Sequence, residues 1–426
     1  MRRPTTTALV LVASAALTLS ACGRAESDRA GAEPTTGTDV AEGAATGTIT
    51  VWAMGAEGEK LPELAKEFEE QNPGAKVEVT AIPWDAAHDK FTTAITAGST
   101  PDAAMVGTTW MGEFAGLDAL DPLPANLQAD GFFEGARKTT EVGGTSYGIP
   151  WYVETRLLFY RTDLAEKAGY DEAPTTWDGL KDMAKAMQDK AGATWGIGLQ
   201  AGGTGSWQTV MPFAWGEGAE LTDGDAYSFD SPEMLKAVEY YQSFFDEGIA
   251  NKSAPNQPTT EPDFASGKVP MFISGPWMMS AVEGVGGEGF EDKYAVAKIP
   301  EGSAGSSSFV GGSDFVVFKN SDQRDTAWKF VEFLADPATQ ATWYGMSTDL
   351  PSVQDAWSDE ALSSDEKLSV FGEQLETAKA PPSYPTWEQV VAGFDSEMEK
   401  VTKTGADPAE ALKTVQQQAD SIGTGQ

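Results

Sequence analysis

Chemistry in this chain of 426 residues must be done almost without imidazole or thiol, because it holds one His and one Cys. Gly144-Thr145-Ser146-Tyr147-Gly148 has the G-x-S-x-G spacing of a hydrolase nucleophile elbow, which requires a strand before the Ser, a helix after it and a later His. Ile149-Pro150-Trp151 follows instead, and the sole imidazole, His88, precedes the Ser. The pentapeptide therefore reads as a Gly-rich turn between short strands. A Cys/His zinc site needs three or four ligands that this composition does not supply, and H-E-x-x-H, P-loop and dinucleotide fingerprints are missing. No metal or cofactor is expected. His88, in Trp-Asp-Ala-Ala-His-Asp-Lys, reads as a packed or surface residue of a first helical turn.

Carboxylate chemistry is the catalytic option left open, since a glycosidase needs only two acids flanking a cleft. Among 65 acidic residues, adjacent pairs such as Glu69-Glu70 and Asp359-Glu360 read as solvated helix faces. Glu154 is different, because it lies in the apolar and aromatic run Ile149-Pro150-Trp151-Tyr152-Val153-Glu154-Thr155-Arg156. A carboxylate there is costly to bury unless a partner or a ligand hydroxyl satisfies it. Arg156, two residues on, can project to the same side of a strand and hold it ionised, so an ion pair and a ligand contact both remain open. The 13 Trp are the more informative group. Trp84 follows Pro83, Trp110 follows Thr108-Thr109, Trp151 follows Pro150 and Trp277 follows Gly275-Pro276. In such turn-like settings an indole offers a flat apolar face while its N–H stays a donor. Sugar rings, with C–H groups on a face and hydroxyls at the rim, match that surface when carboxylates and Arg stand at its edge. Trp177, Trp328 and Trp343, at helical spacing with apolar neighbours, read as core.

The net charge of −36 and the absence of any Lys/Arg cluster argue against nucleic-acid binding. Length divided by a typical domain suggests two to three domains, and 41% hydrophobic with 22% charged residues describes a globular chain. Residues 1–21 combine Met-Arg-Arg, an apolar run from Ala8 to Leu19 and small residues, the pattern of a secretory signal too short to span a membrane. Leu19-Ser20-Ala21-Cys22 resembles the lipobox of bacterial lipoproteins, in which the Cys is lipidated and becomes the mature first residue. Residues 22–46 are then a lipidated Cys followed by a flexible tether, nearly free of large apolar side chains.

The body reads as alternating strands and helices. Thr48–Ala53, Lys76–Ile82 and Asp102–Val106 are predicted strands, separated by helices over Glu59–Gln71 and Ala86–Ala97, the second capped by Asp85. That order predicts a parallel sheet with helical crossovers. Further strands are expected at Leu157–Arg161, Thr194–Leu199, Val269–Ser274, Tyr294–Ile299 and Phe309–Phe318. Helices are expected at Thr176–Lys190, Trp207–Trp215 and Pro232–Glu247, with a largely helical chain after Asp322.

On these residues the body resembles the extracellular solute-binding proteins of sugar-importing ABC systems, similar to maltose- and other oligosaccharide-binding proteins. The resemblance runs from residue 47 to the end. Its markers stand in order: Ile49-Thr50-Val51-Trp52, Pro101-Asp102, Gly148-Ile149-Pro150 with Val153-Glu154, Thr176-Trp177, Gly275-Pro276-Trp277, Pro300, Phe309-Val310-Gly311-Gly312 and Ala335-Asp336-Pro337. It implies an α/β, two-lobed periplasmic-binding-protein-like fold of type II, with several hinge crossings and a ligand cleft that closes between the lobes. One lobe would be 47–149 plus 300–345 and the other 150–299 plus 346–426. Carried over by position, Glu57 falls in the first strand-to-helix loop, Thr109 and Trp110 follow the third strand, Glu154 is an acidic sugar contact, Trp277 a stacking residue, and Gly311-Gly312-Ser313 a cleft-lining segment. Trp387 stands near a late aromatic contact, and Trp84, Asp85, Trp151, Arg156 and Trp207 complete the candidate ligand-binding set. Thr109 replaces an expected acid, which argues against maltose itself. The expectation is a non-catalytic, monomeric, lipid-anchored receptor at the outer face of the cell membrane, which hands a mono- or oligosaccharide to the permease subunits of an ABC importer. A secreted glycosidase and a two-lobed receptor for a polyamine or metal chelate are the rival readings.

Overall fold

The computed structural model describes residues 36–127, 130–254 and 260–425, all within the compact unit Pro34–Gln426. The signal segment, Cys22 and most of the expected tether lie outside the described residues. The last stretch of that tether is not loose. Val40 is buried, its N–H donates to Asn126 Oδ1 at 2.9 Å, and Arg324 Nη2 donates to the Thr38 carbonyl at 2.6 Å. One apolar side chain with satisfied backbone partners is enough to dock a short segment, and composition averaged over residues 22–46 concealed it.

Three parallel strands open the fold: Thr46–Met54 lies between Gly74–Ile82 and Ala103–Gly107. Helices Gly55–Gln71 and Trp84–Ala97 make the crossovers. The first buries Leu61, Leu64, Ala65 and Phe68, the spacing that lays one apolar stripe on the sheet. Asp85 does not cap the second helix. Pro83 occupies that position, its fixed φ suiting a helix entry, and Asp85 lies exposed in the first turn. The sheet is mixed, not wholly parallel: Ser308–Val317 runs antiparallel to Ala103–Gly107 and to Gly148–Thr155.

A smaller antiparallel sheet places Leu157–Arg161 between Met271–Ser274 and Tyr294–Ala297. Thr194–Leu199, expected as a strand, makes only an isolated bridge at Gly198 to Phe272. Gly196 and Gly198 press against neighbouring backbone and side chains there, so the segment packs tightly without a ladder of its own. Helices Trp177–Ala191, Trp207–Glu217, Pro232–Asp246, Trp387–Thr404 and Pro408–Ile422 surround a core that includes Trp177, Phe213, Tyr241 and Phe394. Of the pentapeptide at 144–148 only Gly144 lies in a turn, together with Gly143, both at positive φ between the two-residue strands Glu141–Val142 and Thr145–Ser146.

The result is a two-lobed α/β chain whose lobes share two long strands. In Ser308–Val317, Phe309 belongs to the core around Phe394, Val310 to a second one around Phe371, and Phe315–Val317 to the core of the first sheet. In Gly148–Thr155, Ile149 and Trp151 join the core of the first sheet while Val153 joins the one around Phe371. These strands are where the chain passes from one packed body to the other.

Candidate functional site

Strand alternation decides which residues of Gly148–Thr155 reach the site. Trp151 and Val153 point into cores, so Tyr152, Glu154 and the following Arg156 share the other face. The neighbouring strand lets them stand free because it opposes Glu154 and Val153 with Gly311 and Gly312. Gly312 has φ +118°, and a Cβ on it would come 2.1 Å from the Tyr152 carbonyl oxygen. A Cβ on Gly311 would come 2.9 Å from Glu154 Oε1. The two glycines thus hollow out the floor on which the carboxylate sits.

Arg156 is 8% exposed and closely held. Its Nη1 donates to Glu154 Oε2 at 3.1 Å and its Nη2 to Gln208 Oε1 at 2.7 Å. Its guanidinium carbon lies 4.6 Å from the ring centre of Trp277, and Trp277 remains 45% exposed. Gln208 is delivered by a Gly-rich turn, with Gly202, Gly203 and Gly205 at positive φ, and by the first turn of helix Trp207–Glu217. That helix has no local side-chain cap. Asp395 of a distant helix supplies one, accepting from Gly205 N at 2.7 Å, Ser206 Oγ at 2.7 Å and Trp207 N at 2.9 Å.

Other residues of the site come from segments that follow strands of the first sheet. Trp84 and Trp110 meet edge to face at 6.1 Å, and Trp110 also rests on His88 and Phe114. His88 is packed as expected, its Nε2 2.8 Å from Glu113 Oε2. Glu57 lies in the first turn of helix Gly55–Gln71, where the Tyr152 hydroxyl reaches its Oε1 at 3.5 Å. Burial, with the charges of Asp349 and Glu57, pushes the Tyr152 phenol well above its ordinary range, so it stays a neutral donor.

Three hollows meet at Gln208. One of about 270 Å³ lies among Trp84, Thr109, Trp110, Tyr152, Glu154 and Gly311. One of about 470 Å³ extends from Trp277 past Gln200 and Asp263 to Trp195. The third, of about 340 Å³, is bounded by Thr109, Glu388, Asp395 and Glu399. Together they form a groove of polar side chains interrupted by indoles, apt for binding an amphipathic ring by stacking and hydrogen bonds.

Trp84, Thr109, Trp110, Glu154, Trp277 and Gly312 line these hollows, and Glu57 and Arg156 stand behind them, on Tyr152 and on Glu154 with Gln208. The structure does not bring Asp85 in. Three expected platforms are core residues. Trp151 is 2% exposed and packs on Trp343 at 5.0 Å and Phe315 at 5.7 Å, because strand parity turns it away from Glu154. Trp387 is fully buried against Trp207 at 5.2 Å. Trp207 itself is 3% exposed, covered by Trp387 and Phe309, although it borders the third hollow. Ser313, paired with Tyr152 across the strands, is fully buried as well. Sequence reasoning missed Tyr152, Gln208 and Glu388. Tyr152 was legible from its parity with Glu154 and Arg156. Gln208 and Glu388 carry no local signal, since each acts through contacts made by distant segments.

Residues 53–341 match the family described as bacterial extracellular solute-binding protein. The diacetylchitobiose binding protein DasA of Streptomyces coelicolor is 27% identical, over 96% of this chain and 96% of its own. The galactooligosaccharide-binding protein of Bacillus subtilis is 24% identical, over 95% and 93%. The structure of the sugar-binding protein MalE from the phytopathogen Xanthomonas citri superposes with a TM-score of 0.83 at 32% identity, covering 88% of this chain and 97% of that one. These relatives are binding proteins, and the family is an extracellular one. The two-lobed chain described above belongs to the bacterial extracellular solute-binding proteins.

Proposed function

We propose that this chain is the carbohydrate-capturing subunit of an ABC importer, holding a mono- or oligosaccharide between its lobes and delivering it to the membrane permease. The observation that carries this reading is the pairing of an exposed indole, Trp277, with the Glu154–Arg156–Gln208 hydrogen-bonded row beside it, next to a hollow lined by Trp84 and Trp110. Stacking on C–H faces and hydrogen bonding at the rim are the two interactions a sugar ring offers. The relatives' ligands, diacetylchitobiose and galactooligosaccharides, support the same class. The site binds without turning over its ligand. In this reading the lobes are 47–149 plus 300–345 and 150–299 plus 346–426, hinged where Gly148–Thr155 and Ser308–Val317 cross. The mature chain begins at a lipidated Cys22 on the outer membrane face and works as a monomer.

A thermal-shift screen of purified protein tests the reading, since a ligand well above its Kd raises the midpoint of unfolding. Neutral mono- and oligosaccharides should raise it, whereas polyamines and metal chelates should not. Hydrolysis of any glycoside in the same panel would favour a glycosidase instead. Metabolic labelling with a fatty acid, abolished by Cys22→Ser, tests the anchor.

A further inference from the structure

We infer that Arg156 is a positioning residue: it does not read the ligand itself but fixes the two groups that do, the Trp277 indole as an apolar platform and the Gln208 amide as a donor. The inference rests on the carbohydrate reading for the nature of the ligand.

A guanidinium has donors and no acceptor, so the Gln208 atom 2.7 Å from Arg156 Nη2 is the amide oxygen. With that oxygen held by Arg156, the Gln208 Nε2 hydrogens are left to donate at the junction of the three hollows. A hydroxyl, ring or glycosidic oxygen accepts such a hydrogen bond. A protonated amine has no lone pair and cannot accept from those hydrogens.

The same guanidinium supports Trp277 from 4.6 Å, a cation–π distance. The indole has a second support. A Cβ on Gly275 would come 2.0 Å from Trp277 Cζ3, so the ring folds back onto bare backbone. Held in this way, the indole keeps its exposed surface turned to the hollow without a side-chain search at each binding event, which is preorganisation. Glu154 in turn anchors Arg156 through Nη1. The row therefore converts one buried cation into a fixed aromatic face and a fixed donor.

The test uses the full chain labelled with 5-fluorotryptophan, its Trp277 resonance identified by loss in Trp277→Phe. Affinity is measured with maltotriose, cellotriose and N,N′-diacetylchitobiose, the tightest binder serving thereafter. Arg156→Met should shift or broaden the Trp277 resonance in the ligand-free protein and weaken binding at least tenfold. Arg156→Lys should do the same, because one ammonium cannot both stack and hold the amide; it keeps the buried charge and is the variant to read if Arg156→Met does not fold. Gln208→Glu preserves an acceptor for Arg156, so the resonance should stay in place while affinity drops about tenfold. An unmoved resonance in the Arg156 variants, with affinity lost, would make Arg156 a direct ligand donor and overturn the inference. Gln208→Glu binding like the parent would overturn the donor assignment. If the parent binds none of the three sugars, the carbohydrate reading loses its support, while the ligand-free spectrum still decides whether Arg156 positions Trp277.

Discussion

The Trp343 indole N–H donates to Asp349 Oδ2 at 3.0 Å, tying the carboxylate behind Glu57 to the core indole that packs on Trp151. Burial and the charge of Glu57 raise Asp349 from its ordinary value of 3.8 to about 7, against smaller opposing effects of Ser347, Trp343 and Lys60. An acid whose pKa folding raises keeps a proton that the unfolded chain has released. Its contribution to stability is therefore most favourable below about pH 4 and declines as pH rises to about 7, then levels off. Asp349→Asn, which can still accept from Trp343, should raise the unfolding midpoint at pH 8, with a gain on the order of a few kcal/mol. Near pH 4 the two proteins should unfold together, and equal midpoints at pH 8 would refute the buried-charge account. Urea unfolding across that pH range makes the comparison.

Removing the Trp277 indole should cost binding and not folding. Its ring is half in solvent at the start of helix Trp277–Gly286, so Trp277→Ala leaves no sealed cavity. Sugar affinity measured by calorimetry should fall at least tenfold, with an unfolding midpoint close to that of the parent. An unchanged affinity would remove the stacking role.

Trp151→Ala should behave in the opposite way. Truncating an indole buried between Trp343 and Phe315 opens a core cavity, which costs about 3–5 kcal/mol. Chemical denaturation should show that loss. Trp151→Phe, which refills most of the space, should bind sugar within about twofold of the parent, as the cavity argument places no ligand contact there.

Gly312→Ala should damage both the strand pair Gly148–Thr155 with Ser308–Val317 and the groove. A Cβ cannot fit 2.1 Å from the Tyr152 carbonyl, and φ +118° strains any other residue. The strand pair must shift, at a cost on the order of 1–3 kcal/mol. Because Tyr152 and Glu154 ride on the displaced strand, sugar affinity should fall together with stability. A stable Gly312→Ala protein with normal affinity would show that the floor tolerates a methyl group.

Much of this protein was legible before folding was considered. Alternating β-branched strands and helices with apolar stripes, such as Thr46–Met54 followed by Gly55–Gln71, are local properties, and they determined the α/β class and the order of most elements. The ordered markers from Ile49 to Pro337 determined the family. Scarcity of His and Cys removed the commonest catalytic sites. That Glu154 and Arg156 share one side followed from strand parity, a rule that needs only the sequence, whereas the structure shows that they pair.

Tertiary packing decided which aromatic residues are available to a ligand. Trp151 and Trp277 both follow a proline, yet one is sealed by Trp343 and Phe315 and the other stands over Gly275 and Arg156. Burial depends on what distant segments place against a side chain, and residue type does not encode that. Gln208 became a site residue because Asp395, 187 positions later, caps its helix and Arg156, 52 positions earlier, takes its oxygen. Composition and periodicity describe neighbours along the chain, so they specified the elements; the groove is made of neighbours in space, and only the fold brings those together.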